Sequence, residues 1–355
     1  MSYAAYPHDA HAAQLTLTRE DAAAYLDRIN LPASLLDSPP SLDLLSVVFL
    51  AHLEQVPKDT SPLHVPEAQW SGPSTAVKLG SALADGMPLG SRAFNRIVHQ
   101  HKGAFCFAVN ATFAALLRYF GFSVSELAAR SCRSLGNDPL THADGWYWGT
   151  LTHEVLVAGW PGSTDRYLVD AAWGPWNLAK PIKLTTDPAG ETIMGLNEFE
   201  AYRLVFEDLP TSPNAARPLD VIPGYTLYRR IAPVGTPHAL PITPASPGYW
   251  SPLFHFHLSS AGLSDMMLYH HFSATHGLAS FTAFWLVTRL IPGGGGARRS
   301  MMYAEKEGEG RRAKVYTTGG PEAKGSDEGR DVEWVDMETG PLKEYLAREL
   351  GYKFD

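Results

Sequence analysis

In the segment Lys102–Val124, KGAFCFAVNATFAALLRYFGFSV, a cysteine stands between two phenylalanines where an apolar helix begins. A thiolate is a strong nucleophile, and the unpaired N–H groups of a helix N-terminus favour negative charge. Gly103 would let the chain turn sharply into the helix and leave an approach to the sulfur. Cys106 therefore reads as a nucleophile or, as free cysteines more often are, as a small buried hydrophobe. A nucleophilic cysteine needs a base, and the base needs an orienting group. Of 14 histidines, His153 lies in LTHEVLVAG, where a strand would carry an apolar residue. Asp170 ends YLVD in the same manner. The turn signal WPGSTD between them predicts a hairpin. Centred on Pro161–Gly162, it would set His153 directly across from Asp170. Centred on Ser163, it would displace them by three residues. The pair reads either as an imidazole with its orienting carboxylate or as a buried pair that ties the hairpin.

Other motifs carry less. His255 with His257, and His270 with His271, have the spacing of metal ligands but no acidic or cysteine cluster beside them, so no metal site is predicted. The run Gly293–Gly296 with Arg298 and Arg299 could cradle a phosphate, but it lacks the Lys-Ser/Thr of a phosphate loop and reads as a surface loop. Cys132 follows no helix entrance and reads as packing.

The elements that must hold these residues change character along the chain. TREDAAAYLDRIN opens with Thr18 and Asp21 in capping-box spacing and places Tyr25 and Ile29 on one face. SLDLLSVVFLAHLEQV begins at Ser41 with Leu44, Leu45, Val48 and Phe49 at helical spacing. The helix after Cys106 turns Phe113, Leu116, Leu117 and Phe120 inward and stops at Gly121. FSVSELAARS, WYWGTLTHEVLVAG and RYLVDAAW then read as strands. Pro-rich linkers follow at LPTSPNAARPL and APVGTPHALPITPASPG. LSDMMLYHHFSATH reads as a helix, SFTAFWLVTRLI as a buried strand, EKEGEGRRAK as a polar loop, and PLKEYLARELGY as an amphipathic helix bounded by Pro341 and Gly351.

The chain has 355 residues, of which 45% are hydrophobic and 19% charged, enough for two or three domains. Its net charge is −8 and no basic block stands out, which argues against nucleic acid or an anionic membrane as partner. MSYAAYPHDAHAAQ does not read as a signal peptide. The apolar runs Leu42–Leu53 and Phe281–Ile291 are too short and too interrupted to span a bilayer. The two cysteines belong to no CxxC motif. These features predict a soluble, reduced, cytoplasmic protein.

The segments so far resemble the arylamine N-acetyltransferase family, with polar insertions similar to its fungal branch. The family's Arg-Gly-Gly-aromatic-Cys-Phe-Glu-x-Asn stretch is matched by Lys102–Asn110. Its Thr-His-x-x-Leu-Val strand is matched by Thr152–Val157, and its Leu-Val-Asp-x-Gly-aromatic-Gly segment by Leu168–Gly174. The resemblance runs from about Leu17 to Leu290 and weakens in the tail. It implies an α+β fold: a helical bundle carrying Cys106 over residues 1–122, an antiparallel β-barrel carrying His153 and Asp170 over 123–260, and a C-terminal α/β lid over 261–355, around a core like that of papain and transglutaminase. It implies acyl transfer from acetyl-CoA or malonyl-CoA, through a Cys106 thioester, to an arylamine, arylhydrazine or N-hydroxyarylamine, in a monomer or homodimer without a metal. Thr152 and Gly174 would border the CoA pantetheine, and Phe105, Phe107, Trp173 and Trp176 the aromatic acceptor. A thiol hydrolase or amidase on the same residues, or a non-catalytic homologue, are the alternatives.

The departures lie beside the cysteine. Lys102, Ala104 and Ala108 replace the family's Arg, second Gly and Glu, and Ala172 replaces a Gly after the Asp. With both members of the family's Arg–Glu pair replaced, no carboxylate is left buried without a partner, and Lys102 is expected to carry its ammonium into solvent.

Overall fold

The computed structural model of the chain describes residues 14–82, 87–134, 146–210, 223–243, 245–259, 262–277, 279–323 and 330–354. The linker LPTSPNAARPL falls almost wholly outside them.

The helices expected near the start form. Helix α1 (Arg19–Arg28) is closed by the reciprocal Thr18–Asp21 capping box, and Tyr25 and Ile29 are buried. Helix α2 (Leu42–Gln55) is capped by the Ser41 hydroxyl, which accepts from the Leu44 amide. A short helix, α3 (Gly90–Phe94), passes into a π-turn over Asn95–His99. Helix α4 (Cys106–Tyr119) begins on the cysteine itself and ends before Gly121, whose φ of 87° suits glycine.

Two antiparallel sheets complete the α+β fold. Strands β2 (Ser123–Ser134), β3 (Trp146–Gly159), β4 (Tyr167–Val169), β5 (Ile182–Lys183), β6 (Glu191–Met194), β7 (Ala201–Glu207), β8 (Gly224–Ile231) and β9 (Tyr249–Phe256) pair in the order β5-β4-β3-β2-β9-β8-β7-β6. The edge strands β5 and β6 follow one another in the chain and touch, so the sheet is a nearly closed barrel. Its interior is filled by Leu127, Val155, Leu168, Tyr202, Phe254 and Phe256.

The second sheet has the order β1 (Lys58–Asp59), β10 (Leu286–Leu290), β11 (Arg298–Lys306), β12 (Gly310–Thr318) and β13 (Arg330–Asp336). Helix α7 (Thr339–Leu350) packs on it through Leu342, Tyr345 and Leu346 and ends at left-handed Gly351. Helices α5 (Leu263–Thr275) and α6 (Ser280–Ala283) lie between the two sheets in sequence.

Three readings change. SFTAFWLVTRLI is not one strand: Ser280–Ala283 is helical, and the strand starts at Leu286. There Phe281 packs against Phe105, while Trp285 enters the core beneath α7. EKEGEGRRAK is not a loop but a hairpin, with Lys306 paired to Gly310. Its charges stay at the solvent side, where Lys306 meets Glu309 and Arg312 meets Asp336. Arg298 is not in the surface loop but opens β11, 2% exposed and paired with Glu200. No helix among the described residues is long and apolar enough to cross a membrane.

Candidate active site

Cys106 is the first residue of α4 and is fully buried. Its thiol donates to the Thr152 carbonyl at 3.7 Å. The β3–β4 hairpin pairs Leu156 with Val169 and Ala158 with Tyr167. Its centre therefore lies between Gly162 and Ser163, between the two registers considered above. Continued by one residue, this register sets Asp170 opposite Val155, two residues from His153 and on the same face. The two side chains meet: His153 Nε2 lies 2.7 Å from Asp170 Oδ2. Nδ1 is the ring nitrogen that Asp170 leaves free, and Cys106 lies close enough to act on the imidazole. Burial works against a charge on His153, but the Asp170 carboxylate and Cys106 outweigh it and raise the imidazole to about 9.

Asn110, one turn after Cys106, ties the helix to both strands. Its Nδ2 donates to the Glu154 carbonyl at 2.6 Å and to Asp170 Oδ1 at 3.2 Å, and its Oδ1 accepts from the Ala171 amide at 2.8 Å. The Ala172 amide donates to Asp170 Oδ1 at 3.0 Å. Asn177 clamps the loop that follows, donating to the Asp170 carbonyl and accepting from the Trp173 amide. Neither asparagine was singled out from sequence for this role. Asn110 left a signal, a polar residue at i+4 from Cys106 in an apolar run. Asn177 left none, because its partners are backbone atoms.

The aromatic candidates divide. Phe105 and Phe107 are buried with ring centroids 5.8 Å apart, and His270 of α5 lies 5.1 Å from Phe105. Trp173 meets the His153 ring edge-on at 4.9 Å. Trp176 is instead covered by the Arg229 guanidinium at 3.4 Å. Gly174 has φ 129°, a conformation L side chains rarely adopt. Cys132 lies apart, packed near Trp146 and Trp148, and burial pushes its thiol up to about 12. Among the described residues, no group of three histidine, cysteine or acidic side chains could hold a metal ion.

The expectation for Lys102 is overturned. Its side chain is 3% exposed, pairs with Glu67, and lies 5.0 Å from the Phe354 ring centroid. Arg96 joins the same network, reaching Glu67 at 2.9 Å, Asp59 at 3.0 Å and the Gly103 carbonyl at 2.7 Å. Carboxylates distant in sequence thus supply the charge that Ala108 lacks. Gly103 is required by close approach and not by a sharp turn: a Cβ there would sit 2.2 Å from the Pro57 carbonyl.

The N-acetyltransferase family profile matches residues 90–323, about two thirds of the chain. The chain belongs to this family. The arylamine N-acetyltransferase of Mycolicibacterium smegmatis is 30% identical over 186 residues, which cover 52% of this chain and 56% of that protein. The aligned stretch thus spans about half the length of this curated relative. Among solved structures, the Mycobacterium marinum arylamine N-acetyltransferase in complex with CoA superposes with a TM-score of 0.56 at 21% identity, covering 93% of this chain and 92% of that one. The Bacillus cereus arylamine N-acetyltransferase, described as having a Cys-His-Glu catalytic triad, superposes with a TM-score of 0.58 at 13% identity, covering 95% and 100%. These likenesses establish the fold of the family member.

Proposed function

We propose that the protein is an arylamine N-acetyltransferase-type enzyme that carries an acyl group from acyl-CoA to an aromatic amine through a thioester on Cys106. The observation that carries this reading is the buried His153–Asp170 pair, with Cys106 close enough to favour the charged imidazole, in a member of the N-acetyltransferase family. In the first half-reaction the Cys106 thiolate attacks the acyl carbonyl. The new C–S bond forms, the bond to CoA breaks, and His153 gives its proton to the departing CoA thiolate. Asp170 holds the imidazole and stabilises its charged form. Amide N–H groups in the first turn of α4 receive the oxyanion. In the second half-reaction the amine attacks the thioester, His153 takes the amine proton, and the Cys106 thiolate is restored.

In this reading Thr152 and Gly174 border the pantetheine of acetyl-CoA or malonyl-CoA. The 3.7 Å contact of the Thr152 carbonyl with the sulfur supports that placement. Phe105, Phe107 and Trp173 face the acceptor. The divisions near residues 122 and 260 separate the part carrying the nucleophile from the barrel and the lid, and the enzyme acts in the cytoplasm as a monomer or homodimer.

Intact mass after mixing with each acyl-CoA tests the proposal. A single acyl adduct is expected, absent in Cys106→Ser and retained in Cys132→Ser. Transfer to Cys132, or equal loss in both variants, would reject it. Decay of the adduct in water as fast as with amine would assign a hydrolase instead.

A further inference from the structure

Lys58 is a buried cation of unusual surroundings. Its side chain is 7% exposed, and its Nζ donates to the Trp173 carbonyl at 2.6 Å. The ammonium also lies 5.1 Å from the Phe281 ring centroid. Among the described residues no carboxylate pairs with it. Several other buried cations are neutralised or spread over several acceptors. Arg96, Lys102 and Arg298 each face a carboxylate. Arg28 distributes its N–H groups over the carbonyls of Ile97, Gln55 and His101. An ammonium has three donors, and leaving a buried charge without a counter-charge is costly.

Its location gives the cost a use. Lys58 forms a parallel bridge with Ala104, two residues before Cys106. Its side chain crosses to the loop that leaves Asp170, where Lys58, Ala172, Gly174 and Thr288 border a small cavity. Burial pushes the ammonium below its ordinary value, while Cys106 and Asp170 are close enough to act in the opposite direction. Asp170, the carboxylate nearest this centre, is already held by His153, Asn110 and the Ala172 amide. The remaining donors of Lys58 suit an incoming anion at this centre.

We propose that Lys58 is a carboxylate-recognition residue of the Cys106 site, which selects reactants carrying a carboxylate close to the reacting atom. The carboxylate has two possible carriers: the acyl donor, as in malonyl- or succinyl-CoA, or the aromatic amine, as in an aminobenzoate. The choice between carriers rests on the acyl-transfer reading; the presence of the recognition group does not.

The first test therefore needs no acyl transfer. Cys106 is alkylated with iodoacetate and with iodoacetamide, two reagents that differ by a carboxylate, and the ratio of rates is compared between wild type and Lys58→Met. A fall in the iodoacetate/iodoacetamide ratio of roughly tenfold is expected, corresponding to about 1.4 kcal/mol. Taking the ratio within each variant cancels any loss of folded protein, and Lys58→Arg should keep the ratio nearer wild type. An unchanged ratio in Lys58→Met overturns the proposal. The second test assigns the carrier. Acylation by malonyl- and succinyl-CoA is compared with acetyl- and propionyl-CoA, and deacylation by aminobenzoates with aniline and methylaniline. A carboxylate preference in one arm that disappears in Lys58→Met supports the proposal and names the carrier. Equal rates in both arms overturn it. A protein that alkylates with the expected ratio yet accepts no acyl group retains the recognition site and rejects the acyl-transfer reading.

Discussion

Asp170 divides its two oxygens between orientation and charge. Oδ1 is fixed by Asn110 and the Ala172 amide, and Oδ2 faces His153 at 2.7 Å. The carboxylate is one reason the imidazole keeps its proton up to about 9, although burial opposes it. In the proposed reaction CoA departs with a proton from His153, so acylation should hold through neutral pH and fall as pH rises through about 9. In Asp170→Asn the charge that raises the imidazole is gone, so the fall should begin at lower pH. The maximal rate should also drop, by roughly 10³–10⁴-fold as for a mis-oriented triad imidazole. Stopped-flow measurement of CoA release against pH checks both effects. A break that stays near 9 in Asp170→Asn would show that Asp170 does not set the charge on His153.

At the scale of elements, helix α4 brings Cys106 into the core and helix α5 packs on the rings that flank it. Cys106 is fully buried, and the rings flanking it, Phe105 and Phe107, are met by His270 at 5.1 and 6.1 Å between ring centroids. Phe281 of α6 adds an edge contact to Phe105 at 5.4 Å. The His270 ring is itself held neutral by burial, near 4, and its Nε2 has no partner among the described residues. Opening this cover should therefore cost few hydrogen bonds. Alkylation of Cys106 by iodoacetamide should accelerate several-fold in His270→Ala, because the removed ring lies over both phenylalanines. The rate, followed by peptide mass mapping, would stay at the wild-type value if access runs elsewhere.

At the scale of the whole molecule, one buried ion pair joins the barrel to the second sheet. Arg298 opens β11, and Glu200 stands just before β7. The guanidinium also donates to the Asn177 carbonyl at 2.8 Å, beside the loop that leaves Asp170. Removing one partner strands the other. Arg298→Met or Glu200→Leu alone should cost about 3–5 kcal/mol, while the double replacement should cost less than either single change. Urea unfolding of the three variants measures this. Costs that simply add would mean that the two residues do not act as a pair.

Much of this fold was legible because its signals are local. The Thr18–Asp21 box, the Ser41 cap, the helix from Cys106 to Gly121 and the strands around His153 and Asp170 are each written within a few consecutive residues. Short-range hydrogen bonds and hydrophobic period decide such elements. The ordered segments around Cys106, His153 and Asp170 could likewise be read along the chain, and the family resemblance with them. What only the tertiary structure decided is pairing across distance. The hairpin register was open between alternatives until strand pairing centred it at Gly162–Ser163. Lys102 looked free to reach water because Glu67 is 35 residues away, and Arg298 looked like a loop residue because Glu200 is 98 away. Lys58 gave no sign at all, since its meaning depends on a carbonyl 115 residues distant and on the absence of a carboxylate among its described neighbours. Burial and counter-charge are properties of the assembled interior, and a linear pattern of residue types does not contain them.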